Sequence, residues 1–370
     1  MDNLPLISVI TPVYNGADFL PECIESVLSQ TYANFEYIIV NNCSTDATLE
    51  IAQSYAKTDN RVRVYSNEKF VGVIENHNIA FRKISANSKY CKVVSSDDLI
   101  FPDCLSQLAS IAELYPSVGI VGSYQLSGGG PDWSQWRVRW DEVPYPHPVI
   151  MGREICRTRL LGGPYVFGTP TSLLYRSDLV MEQQSFYPNS TAEADTSACY
   201  QCLKSTDFGF VHQVLSYERV HQIRVTTTSQ LRNAYLGSNI GDILTYGPLY
   251  LTKAEIDSRL HQLLESYYAF LAGSILNFRD QEFWGYHRAR LKELGYPLDN
   301  LRLCKALALK LMDLLLNPKE TVEKILNRLN PSKGKHSALP SGTQTQAEQA
   351  IRIPNLPGSQ VHFEQVSGSR

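Results

Sequence analysis

The sequence lacks several features that would point to other classes of protein. Its 34 Lys and Arg residues against 37 Asp and Glu give a formal net charge of −3, and without a basic excess we expect no general nucleic-acid binding. No run approaches the ~18 apolar residues of a membrane-spanning helix. The first residues lack the basic start of a signal peptide and reach Pro12 within a short apolar run. These absences predict a soluble, cytoplasmic protein.

The eight cysteines indicate neither a disulfide framework nor a zinc site. Most of them lie within apolar runs, as is typical of reduced thiols buried in a cytosolic protein. Cys199 and Cys202 form a C-x-x-C pair, but no second such pair and no C-x-x-H accompanies it. We interpret these two residues as buried thiols on one helical turn.

The first ~125 residues alternate short runs rich in Ile and Val with helical patterns. The predicted strands are Leu6–Val13, Phe35–Val40, Val62–Tyr65, Tyr90–Ser95 and Val118–Tyr124. The predicted helices cover residues 19–28, 47–57, 75–84 and 103–114. This order predicts an α/β fold with a mostly parallel central sheet and helices on both faces. Since ligands of such sheets bind at the carboxyl ends of the strands, we expect the site there.

The composition changes after this region. We expect residues 1–228 to form one domain, with a first half at 1–125 and a second half at 126–228. Residues 229–330 have helical patterns and predict a helical C-terminal extension. Residues 331–370 are rich in Pro, Gly, Ser and Gln, and this composition predicts a disordered tail.

The common nucleotide-binding loops are missing from this predicted sheet. The sequence contains no G-x-x-x-x-G-K-[ST], no G-x-G-x-x-G and no G-x-S-x-G. Asp97 and Asp98, in contrast, directly follow the apolar run that begins at Tyr90. Two acids at the mouth of a parallel strand are suited to hold Mg²⁺ or Mn²⁺ against a diphosphate, although an acid that caps a helix is the alternative.

Four segments in order resemble the family 2 glycosyltransferases of the GT-A fold. They read ISVITPVYNG from Ile7, LPECIESVLSQTY from Leu20, FEYIIVNNCSTDAT from Phe35, and SDD from Ser96. The match is close over residues 5–115 and looser to about Thr228. The resemblance implies transfer of a sugar from a nucleotide-diphosphate donor, with inversion at the anomeric carbon and with Mn²⁺ or Mg²⁺ as cofactor. It also implies a glycan or lipid-linked acceptor and a role in surface polysaccharide or glycoconjugate synthesis.

The resemblance also implies roles for individual residues of the donor and metal sites. The positions that match donor-binding residues are Thr11, Pro12, Tyr14, Asn41 or Asn42, His77, Asn78 and Asp97. Among them, Asn41 or Asn42 matches the residue that reads the N3–H of a pyrimidine, and His77 falls where an arginine is common. The positions that match metal or diphosphate ligands are Asp98, Asp97 and His221.

The general base is expected on the acceptor side. The segment from Thr191 to Tyr200 resembles the acidic motif of the family at a helix start. We predict Asp195 as the base and Glu193 as its alternative, because a sugar hydroxyl needs a carboxylate within hydrogen-bond reach to take its proton. A helix N-cap without a catalytic role is the other interpretation of Asp195.

Two departures from the family pattern bear on the donor site. Asn41 and Asn42 are amides where acids are usual, so that an N3–H can still be accepted but without charge assistance. Ser95 stands where many relatives have a further Asp. These departures leave a non-catalytic nucleotide-sugar-binding protein as one alternative. A nucleotidyltransferase with a similar sheet and metal carboxylates is another alternative, although the Gly-rich basic loop expected of it is absent.

Two further patterns each have two interpretations. Trp133, Trp136 and Trp140 form either an acceptor platform or ordinary packing anchors. The helical stretch Leu301–Leu329 carries six basic residues against three acids, which suits either peripheral contact with the inner face of a membrane or a solvated helix face.

Overall fold

The computed structural model describes residues 4–129, 136–140, 142–143, 147–188, 193–220 and 233–316. In these ranges ten strands and eleven α-helices follow one another along the chain. The strands are β1 Ile7–Val13, β2 Phe35–Asn41, β3 Val62–Ser66, β4 Tyr90–Val93, β5 Leu99–Ile100, β6 Val118–Gly128, β7 Arg137–Arg139, β8 Val149–Ile150, β9 Leu173–Arg176 and β10 Asp207–Arg219. The helices are α1 Leu20–Leu28, α2 Thr48–Thr58, α3 Val73–Phe81, α4 Cys104–Leu114, α5 Gly152–Leu160, α6 Ser177–Met181, α7 Ala194–Cys202, α8 Tyr235–Tyr250, α9 Lys253–Leu276, α10 Gln281–Glu293 and α11 Asn300–Leu316.

The strands form one mixed sheet in the order β3-β2-β1-β4-β9-β6-β10-β5. β1, β2, β3 and β4 are parallel to one another. β9 runs antiparallel to both β4 and β6, and β6 is parallel to β10. Six long strands therefore point in one direction, and their carboxyl ends share one edge of the sheet.

Alternate side chains of the strands supply two hydrophobic cores, one on each face of the sheet. Val9 and Ile39 pack with residues of α1, α2 and α4. Ile10 and Ile38 pack on the other face with residues of α3, α5 and α7. This period-2 division explains why the strands are apolar on both faces, since helices cover both. The predicted α/β sheet with two covered faces is confirmed.

The C-terminal helices are joined to the second half of the sheet through α5. Thr252 caps α9 in a capping box with Glu255, and the carboxylate of Glu255 also accepts a hydrogen bond from Arg157 Nη1 at 2.9 Å. Tyr246 of α8 stacks on Tyr200 of α7 with ring centroids 4.8 Å apart. The helical extension thus supports the helix that carries Asp195.

The chain divides into two units by its contacts, one ending at Leu307 and one beginning at Ala308 within α11. Of the second unit the structure describes only residues 308–316, so the predicted tail at 331–370 and the rest of the predicted stretch to Leu329 lie outside the described residues. None of the described helices combines the length and the apolar character that a bilayer crossing would require.

Most predicted elements are present, with shifts of a few residues at their ends. The strand predicted to continue to Ser95 ends at Val93, and the next residues form a turn with a hydrogen bond from Asp98 N to Ser95 O at 3.0 Å. The two-residue β5 was not predicted, because so short a strand has no periodicity to detect. All eight cysteines are free, and Cys199 and Cys202 are buried on α7 as expected.

Candidate functional site

The candidate site lies at the edge where β1, β2 and β4 end side by side. β1 is central, with Val13 in register with Asn41 of β2, and Ile10 in register with Val93 of β4. The residues that follow these strands therefore lie close together. This arrangement brings the loops that carry Tyr14, Asn42 and Asp98 to one edge of the sheet.

The carboxylate of Asp98 is buried and held on both of its oxygens. Only 3% of the residue is exposed. Thr171 Oγ1 donates to Asp98 Oδ2 at 2.6 Å, and the backbone N–H of Arg219 donates to Asp98 Oδ1 at 3.3 Å. Thr171 lies on a short 3-10 turn before β9, and Arg219 ends β10. The Asp98 carboxylate is therefore fixed by two separate parts of the chain.

Arg219 brings a cation to the two acids. Its Nε donates to the carbonyl oxygen of Asp97 at 3.2 Å, and its guanidinium forms an ion pair with Glu22 at the start of α1. The guanidinium also lies 4.9 Å from the ring centroid of Phe19. The C-terminal end of β10 is thereby attached to the loop that carries Asp97 and Asp98.

The loop that carries Asp97 and Asp98 offers a divalent cation only part of its ligands. Among the described residues no group of three His, Cys, Asp or Glu side chains is placed to hold a metal. Asp97 and Asp98 can supply oxygen ligands, and Mg²⁺ or Mn²⁺ bound with a diphosphate takes its other ligands from phosphate and water. The residues present fit that mode. His221, the third predicted ligand, lies outside the described residues.

The two predicted base-reading amides are buried and already hydrogen-bonded within the protein. Asn42 Nδ2 donates to Val71 O at 2.8 Å, and its Oδ1 accepts from Val71 N at 3.0 Å. Asn41 Oδ1 accepts from Ser44 N at 3.2 Å. Asn42 thus fixes the loop after β3, while Asn41 fixes the loop after β2. A role for either amide in reading a base stays a prediction.

Two aromatic rings project from these fixed loops into solvent. Tyr14 follows β1 and is 47% exposed, while Phe70 lies in the loop after β3 and is 60% exposed. Their ring centroids are 4.9 Å apart in an edge-to-face arrangement. Asn42 holds the backbone at Val71 next to Phe70, and the two rings form an exposed aromatic platform at the carboxyl edge of the sheet.

Thr11 and Pro12 lie below this platform, inside β1. Thr11 is fully buried, and its Oγ1 donates to Val94 O at 2.8 Å and lies 3.0 Å from the hydroxyl of Tyr37. Pro12 is buried and in register with Val40. The hydroxyl of Thr11 therefore joins β1 to the residue that follows β4.

His77 and Asn78 of α3 face the segment around Tyr187. Asn78 makes two hydrogen bonds with the backbone of Tyr187, donating to its oxygen at 3.1 Å and accepting from its N–H at 2.9 Å. His77 Nδ1 lies 2.9 Å from Val73 O, and burial lowers the pKa of the imidazole. These surroundings favour the neutral imidazole of His77.

The predicted base lies in the first turn of α7. Ala194 begins the helix and Glu193 is its N-cap residue, so Asp195 is not the N-cap. The N–H of Thr196 donates to Asp195 Oδ1 at 2.8 Å. Burial, together with the charge of Glu193, raises the pKa of Asp195 to about 6. Glu193 Oε1 is buried and has no hydrogen-bond partner among the described residues.

The surroundings of Asp195 are aromatic. The hydroxyl of Tyr165 lies 2.8 Å from Thr196 Oγ1, and Trp140 packs edge-to-face on Tyr165 at 5.4 Å. Trp140 is 8% exposed, which favours the packing interpretation of this tryptophan. Trp136 stacks on Tyr217 of β10 at 5.2 Å, and Trp133 lies outside the described residues.

Helix α8 adds a further carboxyl to this side of the molecule. Burial, opposed by the charge of Arg159, raises the pKa of Asp242 to about 7. Arg159 of α5 reaches the same helix, since its Nη2 donates to Asn239 Oδ1 at 2.9 Å. The region around Asp195 is thus bounded by α5, α7 and α8 and carries three acids, Glu193, Asp195 and Asp242.

Sequence reasoning missed three residues at this edge of the sheet: Phe70, Thr171 and Arg219. For two of them a signal was present, since Phe70 is an aromatic residue in a polar loop and Arg219 lies two residues before the predicted ligand His221. Thr171 carries no such signal, because only the tertiary fold brings it to Asp98.

Comparison with known proteins identifies what this arrangement resembles. Residues 8–182 match the family model described as Glycosyl transferase family 2. A Haemophilus influenzae protein described as an uncharacterized glycosyltransferase is 35% identical over 124 residues, which cover 34% of this chain and 38% of that protein. Bacillus subtilis TuaG, a putative teichuronic acid biosynthesis glycosyltransferase, is 42% identical over 94 residues, or 25% and 36% of the two chains. The chain therefore spans less than two fifths of the length of these relatives.

Solved structures share the fold over a greater length. The S. aureus TarS fragment 1–349 in complex with UDP-GlcNAc has a TM-score of 0.57 and 18% identity, and the match covers 78% of this chain and 80% of that one. The Pyrobaculum calidifontis mannosyltransferase PcManGT, in complex with GDP-Man and Mn²⁺, has a TM-score of 0.51 and 15% identity, with coverage of 85% and 87%. At these identities the likeness concerns the fold.

Proposed function

The chain belongs to glycosyl transferase family 2 and has the GT-A fold, and we propose that it transfers a sugar from a nucleoside-diphosphate donor to an acceptor hydroxyl with inversion. The observation that carries the proposal is the pair of acids, Asp97 and Asp98, held at the carboxyl edge of the sheet by Thr171 and Arg219. This position is the one at which a parallel sheet binds a diphosphate ligand.

For the donor nucleoside, the support is the platform formed by Tyr14 and Phe70. Stacking of a base on an aromatic ring stabilises binding by about 1–3 kcal/mol, and both rings are exposed for such contact. The main role of the other predicted donor residues is to position the loops around the nucleoside; these residues are Thr11, Pro12, His77 and Asn78. Solved structures with this fold contain UDP, UDP-GlcNAc and GDP-Man. The nucleobase of the donor is therefore to be determined by experiment.

For the metal, we propose Asp98 as the protein ligand, with Asp97 beside the ribose and diphosphate. A bound Mn²⁺ or Mg²⁺ supplies positive charge that stabilises the departing diphosphate. Arg219 lies against the same loop and adds a fixed cation of the protein. Mn²⁺ is present in the structure of PcManGT, which supports a divalent cation without assigning its ligands here.

For the chemical step, we propose Asp195 as general base and keep Glu193 as its alternative. The acceptor oxygen attacks C1 of the donor sugar while its proton passes to the carboxylate of Asp195. The bond between C1 and the phosphate oxygen breaks, and its electron pair leaves with the nucleoside diphosphate. Attack from the side opposite the leaving group inverts the anomeric carbon. A pKa near 6 keeps the base ionised at neutral pH yet basic enough to take the proton.

For the acceptor, we propose a glycan or lipid-linked saccharide of surface polysaccharide or glycoconjugate synthesis. TuaG, which bears a name of this kind, supports the class. Helix α11 supports peripheral contact with the cytoplasmic face of a membrane, because Leu301, Leu309 and Leu315 are exposed on the same helix as Lys305 and Lys310.

The test is a calorimetric panel of UDP, GDP, dTDP and CDP, each with and without Mn²⁺, followed by turnover assays with sugars of the preferred nucleotide. We expect one diphosphate to bind best and to need the metal. Binding of all four without turnover of any donor sugar would favour the non-catalytic alternative. Pyrophosphate release from a nucleoside triphosphate would favour the nucleotidyltransferase.

A further inference from the structure

Lys92 is a buried cation that the proposed mechanism does not use. It lies in the middle of β4, in register with Val9 of β1 and Leu174 of β9, and its side chain is 0% exposed. Its ammonium donates to the carbonyl oxygen of Thr171 and lies 3.4 Å from Val93 O. No carboxylate forms an ion pair with Lys92 among the described residues.

A buried ammonium without an adjacent carboxylate is costly, so the surrounding structure must compensate its charge. Burial lowers the pKa of Lys92 to about 8, while the nearby Cys104 and Asp98 act in the opposite direction. Asp98 is the carboxylate among the groups that act on Lys92.

Thr171 connects the two charges directly. Its carbonyl oxygen accepts the hydrogen bond from Lys92, and its hydroxyl donates to Asp98 Oδ2 at 2.6 Å. The same hydroxyl accepts from Ser95 N at 3.1 Å. Thr171 is itself fully buried, so neither bond competes with water. A displacement of the lysine would therefore move the turn that holds Asp98.

We propose that Lys92 is a positioning residue of the metal and diphosphate site, which acts through Thr171 to hold the carboxylate of Asp98 in its orientation toward the donor. The inference rests on the proposed function, since it needs Asp98 to serve the diphosphate. It assigns Lys92 no contact with substrate. The competing interpretation is that Lys92 only joins β4 to the turn before β9.

The two interpretations differ in what Lys92→Met should change. Met is close to Lys in length but lacks the charge and the donor. The substitution leaves the buried carbonyl oxygen of Thr171 without this hydrogen bond, so we expect a moderate loss of thermal stability. We expect Mn²⁺-dependent affinity for the nucleoside diphosphate preferred by the wild type to fall about tenfold, while affinity without metal stays unchanged.

Two further variants test the connection. Thr171→Val removes the hydroxyl and should reproduce the loss of Mn²⁺-dependent affinity, whereas Thr171→Ser keeps it and should bind as the wild type does. Lys89→Met removes an exposed lysine that pairs with Glu113 and serves as the matched control. Mn²⁺ binding is measured by electron paramagnetic resonance of the free ion, and nucleotide binding by calorimetry.

Each outcome decides a different point. One contrary result is that Lys92→Met loses the same nucleotide affinity with and without Mn²⁺; another is that it loses much stability without any Mn²⁺-specific loss of affinity. Either result would overturn the inference in favour of a purely structural lysine. Wild-type metal-dependent affinity in both Lys92→Met and Thr171→Val would overturn it as well. A wild-type protein that binds diphosphate independently of Mn²⁺ would instead refute the proposed metal site, and the inference with it.

Discussion

The substitution Asp195→Asn should separate activity from stability. If Asp195 is the base, the amide cannot take the proton of the acceptor hydroxyl, and we expect kcat to fall by about 10²–10⁴-fold, the range typical of general-base catalysis. The shape of the side chain and the hydrogen bond from Thr196 N to Oδ1 are retained. Donor affinity should therefore remain close to that of the wild type.

The same substitution should stabilise the protein at neutral pH. Folding raises the pKa of Asp195 from the usual 3.8 to about 6, so the folded state holds a proton that the unfolded state has lost. The free energy of unfolding then falls as the pH rises from about 4 to about 6. At 1.36 kcal/mol for each pKa unit, this loss is at most about 3 kcal/mol. Asn does not titrate, so the variant should not lose this free energy as the pH rises. The variant should therefore be more stable than the wild type at pH 7 and as stable as the wild type at pH 4.

The assay combines initial rates with urea unfolding between pH 4 and pH 8. Wild-type kcat/KM should decrease about tenfold per unit below pH 6, because the base must be ionised. Glu193→Gln is the matched control: the charge of Glu193 raises the pKa of Asp195, so its removal should move the acidic limb to lower pH with little loss of maximal rate. Near wild-type turnover in Asp195→Asn, with a large loss in Glu193→Gln, would refute the assignment.

Three other predictions concern the donor edge and the core. Phe70→Ala should weaken nucleoside-diphosphate binding about tenfold, with or without Mn²⁺, because a stacking surface is lost; Phe101→Ala, 36% exposed in the native protein, is the calorimetric control, and equal effects would contradict the platform. Asp98→Ala should abolish only the Mn²⁺-dependent part of the affinity, and unchanged metal dependence would exclude Asp98 as the ligand. Gly152→Ala should destabilise the protein by about 1–3 kcal/mol in urea unfolding, because its Cβ would overlap the carbonyl oxygen of Thr206; a loss below ~0.5 kcal/mol would contradict this.

The first half of the fold was predictable because its signals are local. Alternation along β1 and β2 places Val9 and Ile10 on opposite faces, and both faces are apolar because helices cover them. The edge that carries Asp97 and Asp98 follows from parallel strands alone. The position of the turn before β9 could not be predicted in this way. This turn carries Thr171, and its place depends on an antiparallel strand inserted between β4 and β6.

The functions of the amides were not predictable from residue type. Asn41 and Asn42 occupy positions at which a base-reading role is expected, yet Asn42 makes paired hydrogen bonds with Val71. A sequence motif gives the residue type at a position. The hydrogen-bond partner of an amide depends instead on loops that are distant in the sequence. Phe70 belongs to none of the sequence motifs, yet its ring is exposed at the edge of the sheet because Asn42 holds the backbone of the neighbouring Val71.

The environments of the two carboxylates explain why each suits a different task. Asp98 accepts hydrogen bonds from Thr171 and Arg219, so its two oxygens are fixed at the edge of the sheet where we propose that a metal binds. Asp195 accepts hydrogen bonds from Thr196, but burial and the charge of Glu193 raise its pKa to about 6. One side chain is thereby suited to hold a fixed position and the other to change its protonation state. The division of labour between donor and acceptor sides thus follows from what surrounds each aspartate, since the residue type is the same.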